Sequence, residues 1–271
     1  MITAMPRIAI VVNDFERAVT TFRDVFGMPV VDFSPRTVPD LGGHVGMCQP
    51  PGGSNIELMA PSDPGAPLSR AMQKFLDARG DGLYALMLEA PEPNAEAVEL
   101  EARGMDVLPL MAGAAGRDVH PRSTHGVLIR VYPDGSVAPG TEASREPGLT
   151  GISTVIIATK DATAAADTYR HGLGLAVDAP CYDPDRGVTV ARCHPAKGGS
   201  IELLSAVDTA NPFAAEIDRF VTDTGGGMYA LVLEADDTDR AVATLRERGV
   251  TFGGSTGRMV SIFGTRLIIG R

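Results

Sequence analysis

Residues 82–90 read GLYALMLEA and residues 227–235 read GMYALVLEA. One strand-like stretch written twice at an offset of 145 constrains the fold strongly, because related stretches must fold alike. Other matches keep the spacing: NIELMAP (55–61) answers SIELLSA (200–206), and Cys48 answers Cys193. ARGMDV (102–107) answers ERGVTF (247–252), and NDFERAVTTFRDVFGMPV answers KDATAAADTYRHGLGLAV. The chain is therefore a tandem duplication. Residues 1–134 form an expected N-terminal domain and 149–271 a C-terminal one. Residues 135–148, rich in Pro, Gly, Ser and charge, read as a linker.

Each copy repeats again within itself. RIAIVV (7–12) is β-rich, and Asp14 then caps a run with Phe15, Ala18, Phe22 and Phe26 at helical spacing, ended by Gly27. MPVVDF, HVGMCQ and NIELMA follow as strands, with QPPGGS as a turn. After residue 82 the order returns: strand GLYALMLEA, helix NAEAVELEARG, then strands MDVLPL, RDVH and GVLIRVY. Four βαβββ modules make an α+β fold. The extra helices PLSRAMQKFLDAR and NPFAAEIDRFVTD join the modules within each half.

A formal charge of −10 and a pI near 5.0 exclude nucleic acid and anionic membrane as expected partners, since both require a basic face. No apolar run reaches the roughly 18 residues of a membrane span, and the opening MITAMPRIAIVVND lacks signal-peptide zones. A cytoplasmic protein acting on a small molecule is expected, as monomer or homodimer. The three cysteines are widely spaced without a CxxC, so neither a disulfide framework nor a thiolate zinc site is indicated.

Four such modules, carrying FRDVFGMPV, IELMAP, FLDARGDGLYALMLEA and HPRSTHGVLI, resemble the vicinal oxygen chelate superfamily of glyoxalases, bleomycin-resistance proteins and extradiol dioxygenases. Each half is most similar to the methylmalonyl-CoA epimerases. The resemblance implies two cupped mixed β-sheets with helices outside, each cup holding a divalent metal on four inward His, Glu or Gln side chains. At those positions the first half has Arg7, Glu57, Ala85 and Arg130, and the second has Thr154, Glu202, Ala230 and an apolar residue near Ile269. One carboxylate per cup cannot hold a catalytic metal against water, so no metal and no other cofactor is expected. The repeated alanine stands where a metal-binding histidine would be. Period-two alternation places Tyr84 and Tyr229 on the opposite face.

By the same alternation Arg7, Glu57 and Arg130 converge in the first cup. They either form a site in which two guanidiniums hold an anion, or satisfy one another structurally. Arg7, Arg130, Glu57 and His44, which opens the strand nearest the cup, are the expected catalytic residues. Arg192, Glu202, Ala85 and Met47 are the expected ligand-binding residues. Ala85 leaves room in the cup, and Met47 takes in the first half the place that Arg192 has in the second. Glu202 is either paired with Arg192 or, against an apolar wall, a proton carrier. The residues point first to a metal-independent isomerase or lyase acting on an anionic small molecule, a carboxylate or an acyl-CoA thioester. A non-catalytic binding or resistance protein is the alternative. A metal-dependent glyoxalase or dioxygenase would need ligands the sequence does not show.

Overall fold

A computed structural model describes residues 1–34, 41–138 and 140–270. The N-terminal half supplies β1 (Ala4–Val11), β2 (Val30–Asp32), β3 (Gly43–Cys48), β4 (Asn55–Pro61), β5 (Gly82–Ala90), β6 (Arg117–Val119) and β7 (Ile129–Pro133), ordered β2-β3-β4-β1-β5-β7-β6 in one sheet. The C-terminal half supplies β8 (Leu149–Ala158), β9 (Ala176–Val177), β10 (Cys181–Asp183), β11 (Val188–His194), β12 (Ser200–Ala206), β13 (Gly227–Ala235), β14 (Met259–Ile262) and β15 (Thr265–Gly270). They repeat the order as β10-β11-β12-β8-β13-β15-β14, with β9 against β11. Both sheets are mixed. β1 runs parallel to β4 and antiparallel to β5, and this central pair joins the two modules of the half. The expected strand MDVLPL shrinks to one bridge, Val107 to Val119, as Pro109 can donate nothing to a ladder.

Asp14 accepts from Arg17 N at 3.0 Å and starts α1 (Phe15–Thr20), which a π-helical turn extends through Val25. Asp161 caps the duplicate, α4 (Ala162–Asp167), in the same way. α2 (Pro67–Arg79) and α5 (Pro212–Thr224) are the module-joining helices, while α3 (Pro93–Ala102) and α6 (Thr238–Glu247) follow β5 and β13. Ile8, Ile10, Ile56 and Leu58 pack with Phe15, Phe22 and Phe26 beneath α1. The same contiguous core includes Val155, Ile157, Ile201 and Leu203 of the other half. Ser54 and Ile152 exchange two backbone hydrogen bonds, and Arg248 Nη1 donates to Val25 O at 2.6 Å, so polar contacts also cross between the halves.

His125 is another crossing contact, its Nε2 lying 3.0 Å from Thr168 Oγ1. Burial holds its pKa below the ordinary 6.5, with Asp161 opposing. The unfolded chain therefore takes up this proton first as pH falls, so the contribution is complete above the unfolded pKa and is lost as pH drops through the folded one. We expect stability in urea to decline below about pH 6.5 and His125→Asn, which suits the φ of 55° here, to flatten that decline. Equal pH slopes for both proteins would refute it.

Candidate functional site

Positions 7, 9 and 11 of β1 point to the inner face of the first sheet, but only part of that face is open. Ala9, Val11, Met59, Ala85 and Met87 pack with Leu68, Met72 and Leu76 of α2, and Ala85 is fully buried. The room left where a histidine would stand is thus taken by a helix. Tyr84 corrects the alternation. The pairings Ala9 to Ala85 and Ile10 to Leu83 skip it, which marks a β-bulge, so Tyr84 joins Ala85 in the inner cluster instead of facing away. Tyr229 does the same in the second half, skipped between Met228 and Ala230 and packed with Ala230.

Beside α2 lies a cavity of about 310 Å³. Arg7 and Glu57 form its polar floor. Val31, Phe33, Val45 and Met47 give it an apolar side, and residues 136–138 and 140–142 of the connecting segment form the facing wall. Arg7 Nε donates to Glu57 Oε2 at 3.0 Å, Nη1 donates to Ser136 Oγ at 2.8 Å, and the guanidinium carbon lies 4.4 Å from the centre of the Tyr132 ring. Burial works against the Arg7 charge, but Glu57, Tyr132 and Glu89 outweigh it, so its pKa moves up and the guanidinium stays charged. Among the described residues no donor reaches Glu57 Oε1 and no acceptor reaches Arg7 Nη2. Both atoms are available to a ligand.

The connecting segment is tied down by side chains that composition gave no reason to single out. Ser136 Oγ and N both donate to Glu89 Oε1, at 2.7 and 2.8 Å, which makes Glu89 a buried anchor. Gln49 Nε2 donates to Ala138 O at 2.8 Å. Gly140 sits so close that a Cβ there would lie 1.9 Å from Gln49 O, so only glycine allows the segment to close over the cavity.

Arg130 does not join Arg7 and Glu57. It holds the inner side of β7, yet Asp118 on neighbouring β6 takes its guanidinium in a fork, Nε to Oδ1 at 2.5 Å and Nη2 to Oδ2 at 2.7 Å, and Arg130 does not line the cavity. The expected Arg-Glu-Arg cluster is therefore two separate ion pairs. His44 also lies elsewhere: its ring stacks on Phe15 of α1 at 5.4 Å, on the helix-covered face and exposed, because the inward positions of β3 are Val45 and Met47. Ala85 is core, as above, and does not line the cavity. Met47 does.

In the second cup Arg192 Nη2 meets Glu202 Oε1 at 2.8 Å, the pairing that strand alternation suggests. A second arginine was not anticipated. Arg186 Nη1 donates to Glu202 Oε2 at 2.8 Å and its Nε to Asp183 Oδ2 at 2.6 Å, so both oxygens of Glu202 are engaged. Arg186, Arg192 and Glu202 border a cavity of about 510 Å³ with Thr154, Asn211 and Phe213. The counterpart of Arg130 is Ile268, one residue before the position expected, since Val232 pairs with Ile268 as Met87 pairs with Arg130.

Neither donor set suits the metal that the superfamily resemblance implies. Of the positions concerned, each cup retains one carboxylate, and arginine holds it. Among the described residues no three His, Cys, Asp or Glu side chains gather where they could bind an ion. A guanidinium beside the one carboxylate left at these positions repels a cation and competes with it for the carboxylate oxygens. Protein dialysed without chelator should carry well under one equivalent of zinc, cobalt, manganese or iron by elemental analysis, and a stoichiometric content of any of them would contradict this.

The duplicated mixed sheets and their inward cavities define a fold used by a broad class of small-molecule proteins. Residues 7–120 and 154–261 match the glyoxalase/bleomycin resistance protein/dioxygenase superfamily, and the chain belongs to it. An ethylmalonyl-CoA/methylmalonyl-CoA epimerase of Cereibacter sphaeroides is 35% identical over 104 residues, which cover 38% of this chain and 75% of that protein. A mutant 4-hydroxymandelate synthase from Streptomyces coelicolor aligns over 93% of this chain and 76% of its own, with a TM-score of 0.66 and 18% identity, a likeness of fold. Methylmalonyl-CoA epimerase from Mycobacterium tuberculosis covers 49% of this chain and 89% of its own at 28% identity and a TM-score of 0.41.

Proposed function

We propose that the N-terminal cup is a metal-free site of isomerase or lyase type for a small carboxylate or its thioester. Arg7 anchors the developing negative charge and Glu57 moves the proton. One observation carries this reading: a buried carboxylate has one oxygen held by Arg7 while the other is left to the cavity, opposite its apolar side. A fixed guanidinium beside the reacting carbon stabilises an enolate oxygen as it forms, and an oriented carboxylate accepts the α-proton without first having to be positioned. The similarity to an epimerase of acyl-CoA substrates supports a thioester as one form of the ligand. A cavity of about 310 Å³ suits the acyl part alone, and among the described lining residues Arg7 is the one cation, against Glu57 and Glu142. A nucleotide portion would therefore extend beyond it.

The test is solvent exchange. Protein incubated in D2O with methylmalonyl-CoA, ethylmalonyl-CoA and the corresponding free acids should put deuterium on the α-carbon of at least one of them above the buffer background, read by mass spectrometry. Arg7 already engages Glu57, Ser136 and Tyr132, which also fits a cup that binds without chemistry. Calorimetric binding without exchange for every compound would favour that second reading and overturn the first.

A further inference from the structure

A third cavity, of about 480 Å³, lies where the two halves meet, away from both cups. Three equivalent pairs of residues line it. Phe75, Arg79 and Leu83 line it from one half, and Phe220, Thr224 and Met228, each 145 residues later, line it from the other. The aromatic geometry is duplicated as well: Phe75 meets the Tyr84 ring edge-on at 5.2 Å and 79°, and Phe220 meets Tyr229 at 5.3 Å and 79°. The duplication has thus built a cleft to which both halves bring an equivalent phenylalanine.

Charge breaks that symmetry. Lys74, Arg79 and His120 line the cleft, and among the described residues no aspartate or glutamate lines it, in a chain whose net charge is −10. His120 Nδ1 accepts from Arg122 N, so Nε2 is the nitrogen open to a ligand. The C-terminal ends of α2 and α5 also reach the cleft and bring about half an elementary charge each of opposing sign. Two cations less that amount leave about one positive charge, enough for a monoanion and too little for a polyphosphate. We infer that this cleft binds an organic monoanion with an apolar body, a medium-chain or aryl carboxylate, with its carboxylate at Lys74 and Arg79 and its apolar part between Phe75 and Phe220. This site is independent of the function proposed for the N-terminal cup.

Decanoate is the probe, titrated against the full chain by calorimetry and by displacement of 8-anilinonaphthalene-1-sulfonate fluorescence. We expect saturable binding. Decanol should bind at least about tenfold more weakly, as expected for loss of a charge-assisted contact. K74E/R79E should lose affinity by at least the same factor while staying folded, its melting temperature lowered modestly by the acid at the C-terminal end of α2, since both side chains are exposed. Arg7→Gln, in the first cup, should leave decanoate affinity unchanged. The proposal is overturned if wild-type protein does not bind decanoate, if K74E/R79E binds it as well as wild type, or if the loss follows Arg7→Gln instead.

Discussion

Replacing Arg130 by methionine should destabilise the protein by about 3–5 kcal/mol, the usual cost of removing one partner of a buried ion pair. Arg130 is 3% exposed, and the change strands Asp118, whose side chain is 14% exposed, without its two charge-assisted hydrogen bonds. Asp118→Leu in the same chain should recover much of the loss, because the buried charge is then gone and two apolar side chains can fill its place. Gly116 belongs to the same arrangement. A Cβ there would come within 2.8 Å of Arg130 Cγ, so Gly116→Ala should push the arginine stem off its partner and reproduce part of the effect. Urea titrations of the single and double variants measure the coupling. A normal midpoint for Arg130→Met together with lost ligand binding would show instead that Arg130 serves the cup.

Arg130 also shows where sequence reasoning succeeds and where it stops. Duplication follows from the repeated segments, and Arg7, Glu57, Arg192 and Glu202 are legible because the family resemblance implies which positions face inward and a period of two carries that face along each strand. The same rule puts Arg130 on the inner face, where it is, but not which acid its long side chain reaches. Asp118 lies 12 residues away along a separate strand, and only the β6 to β7 register brings it opposite. His44 was misplaced by being judged from the start of its strand instead of its parity. Alternation fails at Tyr84 and Tyr229 because the extra residue in the ladder puts two successive side chains on one face, and no residue type announces such a bulge. The wall made by residues 136–138 and 140–142 is illegible for a different reason. Pro, Gly and Ser report only that a segment lacks its own core, and say nothing of what it closes over. Its docking rests on Ser136, Gln49 and Glu89, each unremarkable until the fold sets them side by side.

Glu57→Gln should lower α-proton exchange by about 10²–10⁴-fold, the range expected for a positioned general base. Glutamine keeps the shape and can still accept from Arg7 Nε through its amide oxygen, but it removes the proton acceptor facing the cavity. Ligand affinity should persist, since Arg7 Nη2 remains available as the anchor, so the loss belongs to turnover rather than binding. Stability separates this outcome from a purely structural pair. Were the cluster no more than a self-satisfied core, the neutral amide would leave Arg7 as a buried cation without its paired carboxylate, supported by Ser136, the Tyr132 face and the more distant Glu89, costing several kcal/mol. The cavity against Arg7 argues for a small cost, because water or ligand can solvate the guanidinium there. A melting temperature near that of wild type with exchange abolished is therefore the expected pair of results. A sharp fall in melting temperature with undiminished exchange per folded molecule would make Glu57 a structural counter-ion and leave the cup a binding site.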